Sequence, residues 1–320
     1  MHHFVTGAAG FIGSQLVDAL LEGGDRVTGV DDFSLGRREH LASAGRHAGF
    51  RFFEADVSQV DQATRQLAAA ADWGGLPDII WHLAANSDIA AGVNDAQVDF
   101  RRTLQTTFAT QQAARAVGAT RIAFASTSAV YGEHDAVLTE DTGPLLPIST
   151  YGATKLAGEA LLSAAAESFL ERIWIFRFPN VVGPRATHGA IYDFAQRLAT
   201  RPASLKVLGD GTQAKPYLHV SELIQAMQFI VAKAQGRRNV FNIGPTGEGA
   251  SVAFMAQKTI DRIAPGTPIA YTGGDRGWVG DVPRVRYDTR RLAALGWRPR
   301  LNSEDAVLRA IDDIAGALVA

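Results

Sequence analysis

Short runs of apolar residues alternate with longer segments whose apolar positions recur every three or four residues across the first half of the chain. The short runs predict strands, and the longer segments predict helices. Apolar strands separated by helices favour a doubly wound parallel α/β sheet, with ligands beyond the carboxyl ends of its strands. The predicted strands span 3–6, 26–31, 50–55, 79–83, 121–126 and 173–178, and the predicted helices span 11–23, 59–72, 95–118 and 151–170.

Proline and glycine divide the second half into shorter elements, which is typical of a smaller, loop-rich lobe. Residues 240–243 look like a last strand that returns to the main sheet, so we expect the two parts to be interleaved. The predicted domains are residues 1–180 with about 214–247, and a C-terminal α/β lobe of residues 181–213 and 248–320. The lobe's predicted strands are 205–208 and 269–271, and its helices 190–200, 221–235, 251–263 and 303–318.

A glycine-rich turn, GAAGFIG at 7–13, stands between the first predicted strand and the first predicted helix. Strand, glycine turn and helix in this order favour a dinucleotide site over a β-turn without a ligand. Gly7 is expected to allow the tight turn, Gly10 to let the backbone approach a pyrophosphate, and Gly13 to let the helix pack closely. The helix N-terminus would then offer free N–H groups to the phosphates.

An acidic residue, Asp31, ends the second predicted strand about twenty residues after the glycines. A carboxylate here can accept hydrogen bonds from the adenosine ribose, and it repels a 2′-phosphate. Arg37 and Arg38 would favour NADP if they faced that phosphate, but we expect them to be solvated loop charges. The sequence therefore predicts NAD.

Tyr151 and Lys155 are four residues apart on a predicted helix, so they lie on one face. An ammonium beside a phenol favours the phenolate and lowers the tyrosine pKa from about 10. Such a tyrosine can take a proton from an alcohol as a general base. The pair alone is a common pattern, and it becomes a catalytic candidate because the same chain opens with a nucleotide-binding turn.

The 320 residues are 47% hydrophobic with a formal net charge of −2, which permits a large core and gives no electrostatic reason to bind nucleic acid or a membrane. The absence of cysteine excludes disulfides and thiol catalysis. No apolar run approaches the ~18 residues that span a bilayer. The chain enters its first strand at once, so no signal peptide is expected. We therefore predict a cytoplasmic protein without a metal site.

Ordered motifs over nearly the whole chain resemble the extended short-chain dehydrogenase/reductase family, in its branch of nucleotide-sugar epimerases and dehydratases that includes UDP-glucose 4-epimerases. Besides the glycine turn, the motifs are DDFS at 31–34, DV at 56–57, HLAA at 82–85, STSAVYG at 126–132, YGATK at 151–155, RFPN at 177–180 and GDGTQ at 209–213. The resemblance implies a Rossmann-type fold with an interleaved substrate lobe, and tightly bound NAD.

The resemblance also implies which residues contact cofactor and substrate. The implied cofactor contacts are Gly7, Gly10, Phe11, Ile12, Gly13, Asp31, Asp32, Ser34, Asp56, Val57, Leu83, Ala84, Ala85, Tyr151, Lys155 and Phe178. The implied substrate contacts are Asn86, Ser126, Ser128, Asn180, His188, Tyr192, Lys215, Tyr217, Arg276, Trp278 and Asp281. Alternative roles are a helix N-cap for Asp56, a strand-end cap for either serine, and a turn for Asn180.

In the implied mechanism, Tyr151 takes the proton from a sugar hydroxyl and Thr127 hydrogen-bonds and relays it. Lys155 binds the nicotinamide ribose and keeps the tyrosine pKa low. The sugar carbon gives its hydride to NAD, and the resulting ketose turns over and takes the hydride back on its other face. The predicted function is therefore an NAD-dependent epimerase of a nucleoside-diphosphate sugar, acting at C4.

Two other activities of the family are disfavoured because the residues they use are absent from this chain. Relatives that dehydrate across C4–C6 carry an Asp-Glu pair directly after the catalytic threonine, where this chain has Ser128 and Ala129. The 3,5-epimerase/reductases resembling this family use a cysteine and a histidine, and this chain has no cysteine. A reductase acting on a nucleotide-linked sugar stays as the alternative, and a non-catalytic NAD-binding regulatory protein as the third reading.

The substrate lobe departs from the common pattern. Lys215 stands where an arginine is usual, which keeps a charge for the diphosphate but loses the bidentate fork. Trp278 stands three residues before Asp281, where 4-epimerases commonly have an arginine, and Arg276 is a candidate replacement. These changes leave the sugar and the base open.

The family commonly dimerises through two helices of each subunit, which match 95–118 and 151–170 here. Phe100, Leu104 and Phe108 form an apolar stripe on the first of them. The stripe can bury against its own sheet or against a second copy, and a homodimer is expected. His82 and Tyr131, in contrast, are expected to be core residues.

Overall fold

The computed structural model describes residues 1–134, 136–245, 247, 249–274, 286 and 288–319. Its strands are β1 (His2–Thr6), β2 (Arg26–Asp31), β3 (Phe50–Glu54), β4 (Ile79–His82), β5 (Arg121–Ala125), β6 (Arg172–Arg177), β7 (Asn180–Val182), β8 (Leu205–Val207), β9 (Ala214–Lys215), β10 (Tyr217–His219), β11 (Arg238–Asn242), β12 (Ala250–Ser251) and β13 (Ile269–Tyr271). Its α-helices are α1 (Phe11–Glu22), α2 (Val60–Gly74), α3 (Ile89–Asn94), α4 (Ala96–Asp99), α5 (Thr106–Val117), α6 (Thr150–Ala166), α7 (Ala190–Ala199), α8 (Val220–Lys233), α9 (Val252–Ile263), α10 (Arg290–Leu295) and α11 (Ser303–Val319).

Seven strands within the described ranges form the main sheet, in the order β11-β6-β5-β4-β1-β2-β3. The neighbours from β6 to β3 pair in parallel, and Phe4 stands opposite Thr28 on one side and Ile80 on the other. This order confirms the predicted doubly wound, Rossmann-type sheet and the return of the 240–243 region to it as β11. Because the order reverses between β1 and β4, the carboxyl ends of these strands flank the crevice where such sheets bind ligands.

The apolar faces of α2, α5 and α6 pack on the sheet as one core. Leu67, Ala113 and Leu162, one from each helix, join Ile122 and Phe124 of β5, and each side chain is 1% exposed or less. Burial of each large apolar side chain contributes about 1.5–3 kcal/mol, so the strand ends rest on a rigid support.

The helix predicted for 95–118 is divided in the structure. It consists of α4, a π-helical turn at Phe100–Gln105, and α5. Threonine hydroxyls bond back to carbonyls of the preceding turn: Thr107 Oγ1 donates to Thr103 O and Thr106 Oγ1 to Arg102 O, both at 2.9 Å. Such side-chain bonds compete with the helical ladder and bend helices, which apolar periodicity does not reveal.

Division of the chain by packing gives two compact units: residues 1–130, 146–177 and 227–241, and residues 131–145, 178–226 and 242–320. The second unit has its own core beneath α7, α9 and α11, and contains the strand pairs β7–β10, β8–β13 and β9–β12. The short strands predicted at 205–208 and 269–271 are present as β8 and β13, whereas the two-residue strands β9 and β12 are too short to show a period of two and were not predicted. Among the described residues, no helix is both long and apolar enough to cross a membrane.

Candidate active site

The glycine turn after β1 folds as its spacing predicts. Gly7 has a φ of +72°, and a Cβ added to it would lie 2.8 Å from the amide nitrogen of Ala84. A Cβ on Gly13 would overlap the carbonyl oxygen of Gly7 and lie 2.9 Å from its carbonyl carbon. The turn therefore packs backbone against backbone, both along itself and against the loop after β4.

The N-terminus of α1 offers its amide groups to a ligand. Gly10 is the N-cap and makes no side-chain capping bond, and Phe11 and Ile12 of the first turn are partly exposed. A Cβ on Gly10 would meet only the carbonyl oxygen of Gly7, at 3.2 Å. Because first-turn N–H groups have no partner inside a helix, this smooth backbone surface fits a pyrophosphate.

Asp31, at the end of β2, is hydrogen-bonded to the glycine turn. Its Oδ2 accepts a hydrogen bond from the Ala9 nitrogen at 2.9 Å, and its Oδ1 accepts one from the Phe33 nitrogen at 2.8 Å. Burial raises the pKa of this carboxyl, although both hydrogen bonds act in the opposite direction. Further along, Asp32 and Ser34 are exposed, and Asp32 Oδ1 accepts from the Ser34 nitrogen at 2.9 Å.

The two arginines that would have argued for NADP both have carboxylate partners. The guanidinium of Arg38 lies 4.2 Å from the centre of the Phe33 ring and 2.5 Å from Glu54. Arg37 lies 3.8 Å from Glu39. These contacts leave the carboxylate of Asp31 as the charge that ends β2, and they fit NAD rather than NADP.

The other predicted cofactor contacts follow β3 and β4. Asp56 Oδ1 accepts from the Ser58 nitrogen at 2.8 Å and so closes a turn, while Val57 is buried. The alternative role of Asp56 as a helix N-cap is wrong, because α2 begins at Val60 with Gln59 before it. Leu83, Ala84 and Ala85 are partly exposed where β4 ends, beside the switch point.

A capped helix start carries Tyr151. Ser149 is the N-cap of α6, and its side chain accepts from the Gly152 nitrogen at 3.1 Å. A Cβ on Gly152 would lie 2.5 Å from Ala129 O, so only glycine lets the first turn of α6 approach the turn that follows β5. That approach brings the Thr127 hydroxyl into a hydrogen bond with the Tyr151 side chain.

Lys155 lies one helical turn beyond Tyr151 and is buried. Its Nζ donates to Ala125 O at 2.6 Å and lies 4.8 Å from the centre of the Phe124 ring. Thr127, Tyr151 and Lys155 are therefore gathered between the end of β5 and the start of α6. Ser128 is partly exposed in the adjoining turn.

The pKa of Tyr151 is shifted in the direction opposite to the predicted one. Burial raises the pKa of Tyr151 to about 12, with the Thr127 hydrogen bond acting against this and Asp99 adding to it. The expected lowering of the Tyr151 pKa by Lys155 is wrong for this structure, because burial of the phenol is the largest influence on that pKa. Burial in turn lowers the pKa of Lys155 to about 7, and Glu159 opposes that shift.

Ser126, a predicted substrate contact, is buried, and its hydroxyl bonds Glu159 instead. Its Oγ donates to Glu159 Oε1 at 2.5 Å, and Arg177 bonds the same carboxylate through Nε at 3.0 Å and Nη2 at 2.6 Å. Glu159 had no role in the sequence analysis. The sequence feature that could have identified Glu159 is its position four residues after Lys155, on the same helix face.

Asn86 and Asp99 tie the loop after β4 to the π-helical turn. Asn86 Nδ2 donates to Asp99 Oδ1 at 2.8 Å, and the Asn86 nitrogen donates to Thr103 Oγ1 at 3.1 Å. Both Asn86 and Asp99 are 1% exposed. Sequence reasoning assigned Asn86 to the substrate and did not find Asp99.

His82 and Tyr131 are hydrogen-bonded core residues, as predicted. The Nδ1 of His82 lies 2.8 Å from Thr6 Oγ1 and its Nε2 lies 3.0 Å from Thr107 Oγ1. Burial, and secondarily Lys155, lowers the pKa of His82 to about 3, so the ring is neutral. In the second unit, Tyr131 is fully buried and donates to Asn242 Oδ1 at 2.7 Å.

The remaining predicted site residues belong to the second unit. Phe178 and Tyr217 are buried, and Asn180 is exposed opposite Tyr217 in the β7–β10 pair. His188, Tyr192 and Lys215 are partly exposed, and His188 Nδ1 lies 3.1 Å from the hydroxyl of its neighbour in the chain. Arg276, Trp278 and Asp281 lie outside the described residues.

Comparison with known proteins extends the likeness over the whole chain. The model of the NAD dependent epimerase/dehydratase family matches residues 3–244. A UDP-glucose 4-epimerase of Mycolicibacterium smegmatis is 32% identical over 98% of this chain and 98% of its own length. A dTDP-glucose 4,6-dehydratase of Streptomyces griseus is 33% identical over 96% of this chain and 92% of its own length. Among solved structures, UDP-glucuronic acid 4-epimerase from Bacillus cereus, in complex with UDP-glucuronic acid and NAD, is 26% identical with a TM-score of 0.86, covering 99% of this chain and 100% of that chain.

Proposed function

The chain belongs to the NAD-dependent epimerase/dehydratase family, and we propose that it inverts C4 of a nucleoside-diphosphate sugar with tightly bound NAD. The observation that carries the proposal is the hydrogen bond between Thr127 and Tyr151, with Lys155 one turn further on the same helix. A module that only binds NAD has no chemical use for this trio beside a dinucleotide turn.

In the proposed reaction, Tyr151 accepts the proton of the sugar hydroxyl, and Thr127 hydrogen-bonds both that hydroxyl and the tyrosine. Burial favours the protonated form of Tyr151 in the protein alone. Tyr151 must therefore lose its proton before it can accept one from the sugar, and the positive charge of Lys155 favours that phenolate. NAD, when bound, supplies the reversible hydride acceptor, and its positively charged nicotinamide also favours the phenolate. The glycine turn and the α1 N-terminus would hold the pyrophosphate, and Asp31 the adenosine ribose.

The dehydratase relative makes 4,6-dehydration the activity to weigh against epimerisation. That reaction requires an acid and a base to remove the C6 hydroxyl as water. Ser128 and Ala129, directly after Thr127, carry no carboxyl group. This chemistry favours epimerisation. A reductase that consumes NAD(P)H remains the second candidate.

The second unit is proposed to bind the sugar nucleotide, and the first to bind NAD. Lys215 and Asn180 are candidates for the diphosphate because both reach the surface. Trp278, Arg276 and Asp281 stay candidates from the sequence alone. The cytoplasm is the proposed location.

A homodimer is proposed through the face that carries Phe100, Leu104 and Phe108. Phe100 is 51% exposed and Phe108 is 43% exposed, so this stripe is not buried by its own sheet. Two exposed aromatic side chains eight residues apart, with Leu104 between them in the sequence, favour a second apolar surface. A second copy of the chain presents the same stripe, as a twofold interface requires.

Proton NMR of the purified protein with UDP-, GDP-, CDP-, ADP- and dTDP-sugars, without added cofactor, tests the proposed activity. We expect one new sugar-nucleotide signal at constant nicotinamide absorbance. Conversion that begins only when NAD(P)H is supplied, and that consumes it, would instead establish the reductase.

A further inference from the structure

Three consecutive residues at the end of β5 are each hydrogen-bonded to a different turn of α6. Ala125 O accepts from Lys155 Nζ, Ser126 Oγ donates to Glu159 Oε1, and the Thr127 hydroxyl bonds the Tyr151 side chain. The three helix residues follow one another at intervals of four. The strand end and the helix face are therefore joined at three points. Of the three helix residues, Glu159 is the one outside the proposed proton transfer.

Glu159 is itself anchored from a second strand. Arg177, at the end of β6, donates to both carboxylate oxygens, and Glu159 and Arg177 are 5% and 6% exposed. A two-point guanidinium–carboxylate contact fixes direction as well as distance. Because removal of one partner leaves a buried unpaired charge, this pair resists displacement.

The charged groups around Lys155 single out Glu159. Burial disfavours the Lys155 ammonium and lowers its pKa to about 7, and the Glu159 carboxylate opposes that shift. His82 faces Lys155 from β4 but is neutral, because burial lowers its pKa to about 3. Arg177 faces Glu159 from β6, and Tyr151 is protonated on the same helix. Glu159 is therefore the anion that favours the cation on Lys155.

We propose that Glu159 is a positioning residue of the proton-transfer site: held by Arg177 and Ser126, its carboxylate keeps Lys155 charged and fixes the strand end that carries Thr127. The inference rests on the proposed roles of Thr127, Tyr151 and Lys155. Without the carboxylate, Lys155 loses its proton at a lower pH. The alkaline limit of turnover then moves to lower pH.

Lysine NMR measures this charge directly, because the chain has only five lysines: Lys155, Lys206, Lys215, Lys233 and Lys258. Protein with 13Cε-labelled lysine, purified with its bound cofactor, is titrated from about pH 4.5 to about pH 10, and Lys155→Met assigns the signal. In Glu159→Gln we expect the Lys155 midpoint to fall by about 1 unit or more. The matched control is Glu167→Gln, an exposed glutamate at the end of the same helix that contacts Arg237 and Arg238. It should leave the midpoint unchanged.

A second variant covers the case in which Glu159→Gln does not fold. Glu159→Gln with Arg177→Met removes both buried charges together and avoids an unpaired cation. It should show a smaller downward shift of the Lys155 midpoint, because the repulsion from Arg177 is removed as well. A Lys155 midpoint equal to wild type in whichever of these variants folds would overturn the inference.

The pH dependence of kcat, with Tyr151→Phe measured beside it, separates the two proposals. We expect the alkaline limb of Glu159→Gln to move down with the Lys155 midpoint. Near wild-type turnover by Tyr151→Phe would refute the proposed base, whatever the lysine signal does. Loss of turnover in Tyr151→Phe with unchanged titration and pH profile in Glu159→Gln would refute only the role of Glu159.

Discussion

Replacement of Gly13 by alanine tests whether the close packing of the glycine turn is what holds the cofactor. The added Cβ would overlap the carbonyl oxygen of Gly7 and lie 2.9 Å from its carbonyl carbon and 3.2 Å from the Cα of Ala8. All three atoms belong to the backbone, so no side-chain rotation can relieve the overlap. The N-terminal turn of α1 must therefore move away from β1.

The expected magnitude combines two opposing effects. Forced overpacking costs about 3 kcal/mol at the upper end of its usual range. Alanine in a helix gains about 1 kcal/mol over glycine. The net loss is about 2 kcal/mol, which for a chain of this length lowers Tm by about 3 °C. The shift of the first-turn N–H groups is expected to reduce bound NAD more strongly than it reduces stability.

Gly316→Ala is the matched control. Gly316 lies in α11, and an added Cβ there meets no atom within 4 Å. It should raise stability by about 1 kcal/mol and leave NAD content unchanged. Both variants are checked by thermal unfolding and by the NAD released on acid denaturation, per mole of protein. Wild-type NAD content and Tm in Gly13→Ala would refute the packing argument.

Four further outcomes are expected. Tyr151→Phe should lower kcat by about 10²–10⁴-fold while bound NAD stays at the wild-type level, measured in the NMR assay; a smaller loss contradicts its role as base. Tyr131→Phe, which leaves Asn242 Oδ1 without its donor, should cost about 1–3 kcal/mol in urea unfolding with little change in kcat. His82 is neutral when folded and protonates below about 6.5 when unfolded, so it contributes stability that falls as pH drops from about 6.5 towards 3; about 2 kcal/mol should be lost at pH 5, and His82→Gln should flatten that slope. Phe108→Glu should give a monomer in sedimentation velocity, and an unchanged dimer would place the interface elsewhere.

Local patterns were enough to predict the sheet and the cofactor turn. Gly13 acts within a few residues of its contact with Gly7, and helices separate β1 from β2, β3 from β4 and β4 from β5. These features depend on period and spacing, which a sequence displays. The division of the 95–118 helix was missed because it arises from threonine hydroxyls bonding to backbone carbonyls, which leaves the apolar stripe unchanged.

The hydrogen-bond partners inside the site depended on contacts between distant residues. Ser126 and Glu159 are 33 residues apart, and Lys155 and Ala125 are 30 apart. The i,i+4 rule predicted that Tyr151 and Lys155 share a face, but it cannot tell which acceptor the ammonium chooses. Lys155 bonds a carbonyl at the end of β5. Burial raises the pKa of Tyr151, opposite to the direction that the sequence predicted.

Burial of Tyr151 and Lys155 in the packed core affects the proton transfer that we propose for them. Tyr151 is buried enough to hold its proton, and Lys155 is buried enough to release its own near neutral pH. These two pKa shifts both disfavour the phenolate. A positive charge on Lys155 favours the Tyr151 phenolate, and burial of Lys155 disfavours that charge. A carboxylate one turn further, fixed by Arg177, offsets that loss. The anchored carboxylate of Glu159 therefore allows Lys155 to be buried, which makes its side chain rigid. It also allows Lys155 to carry the charge that favours the Tyr151 phenolate.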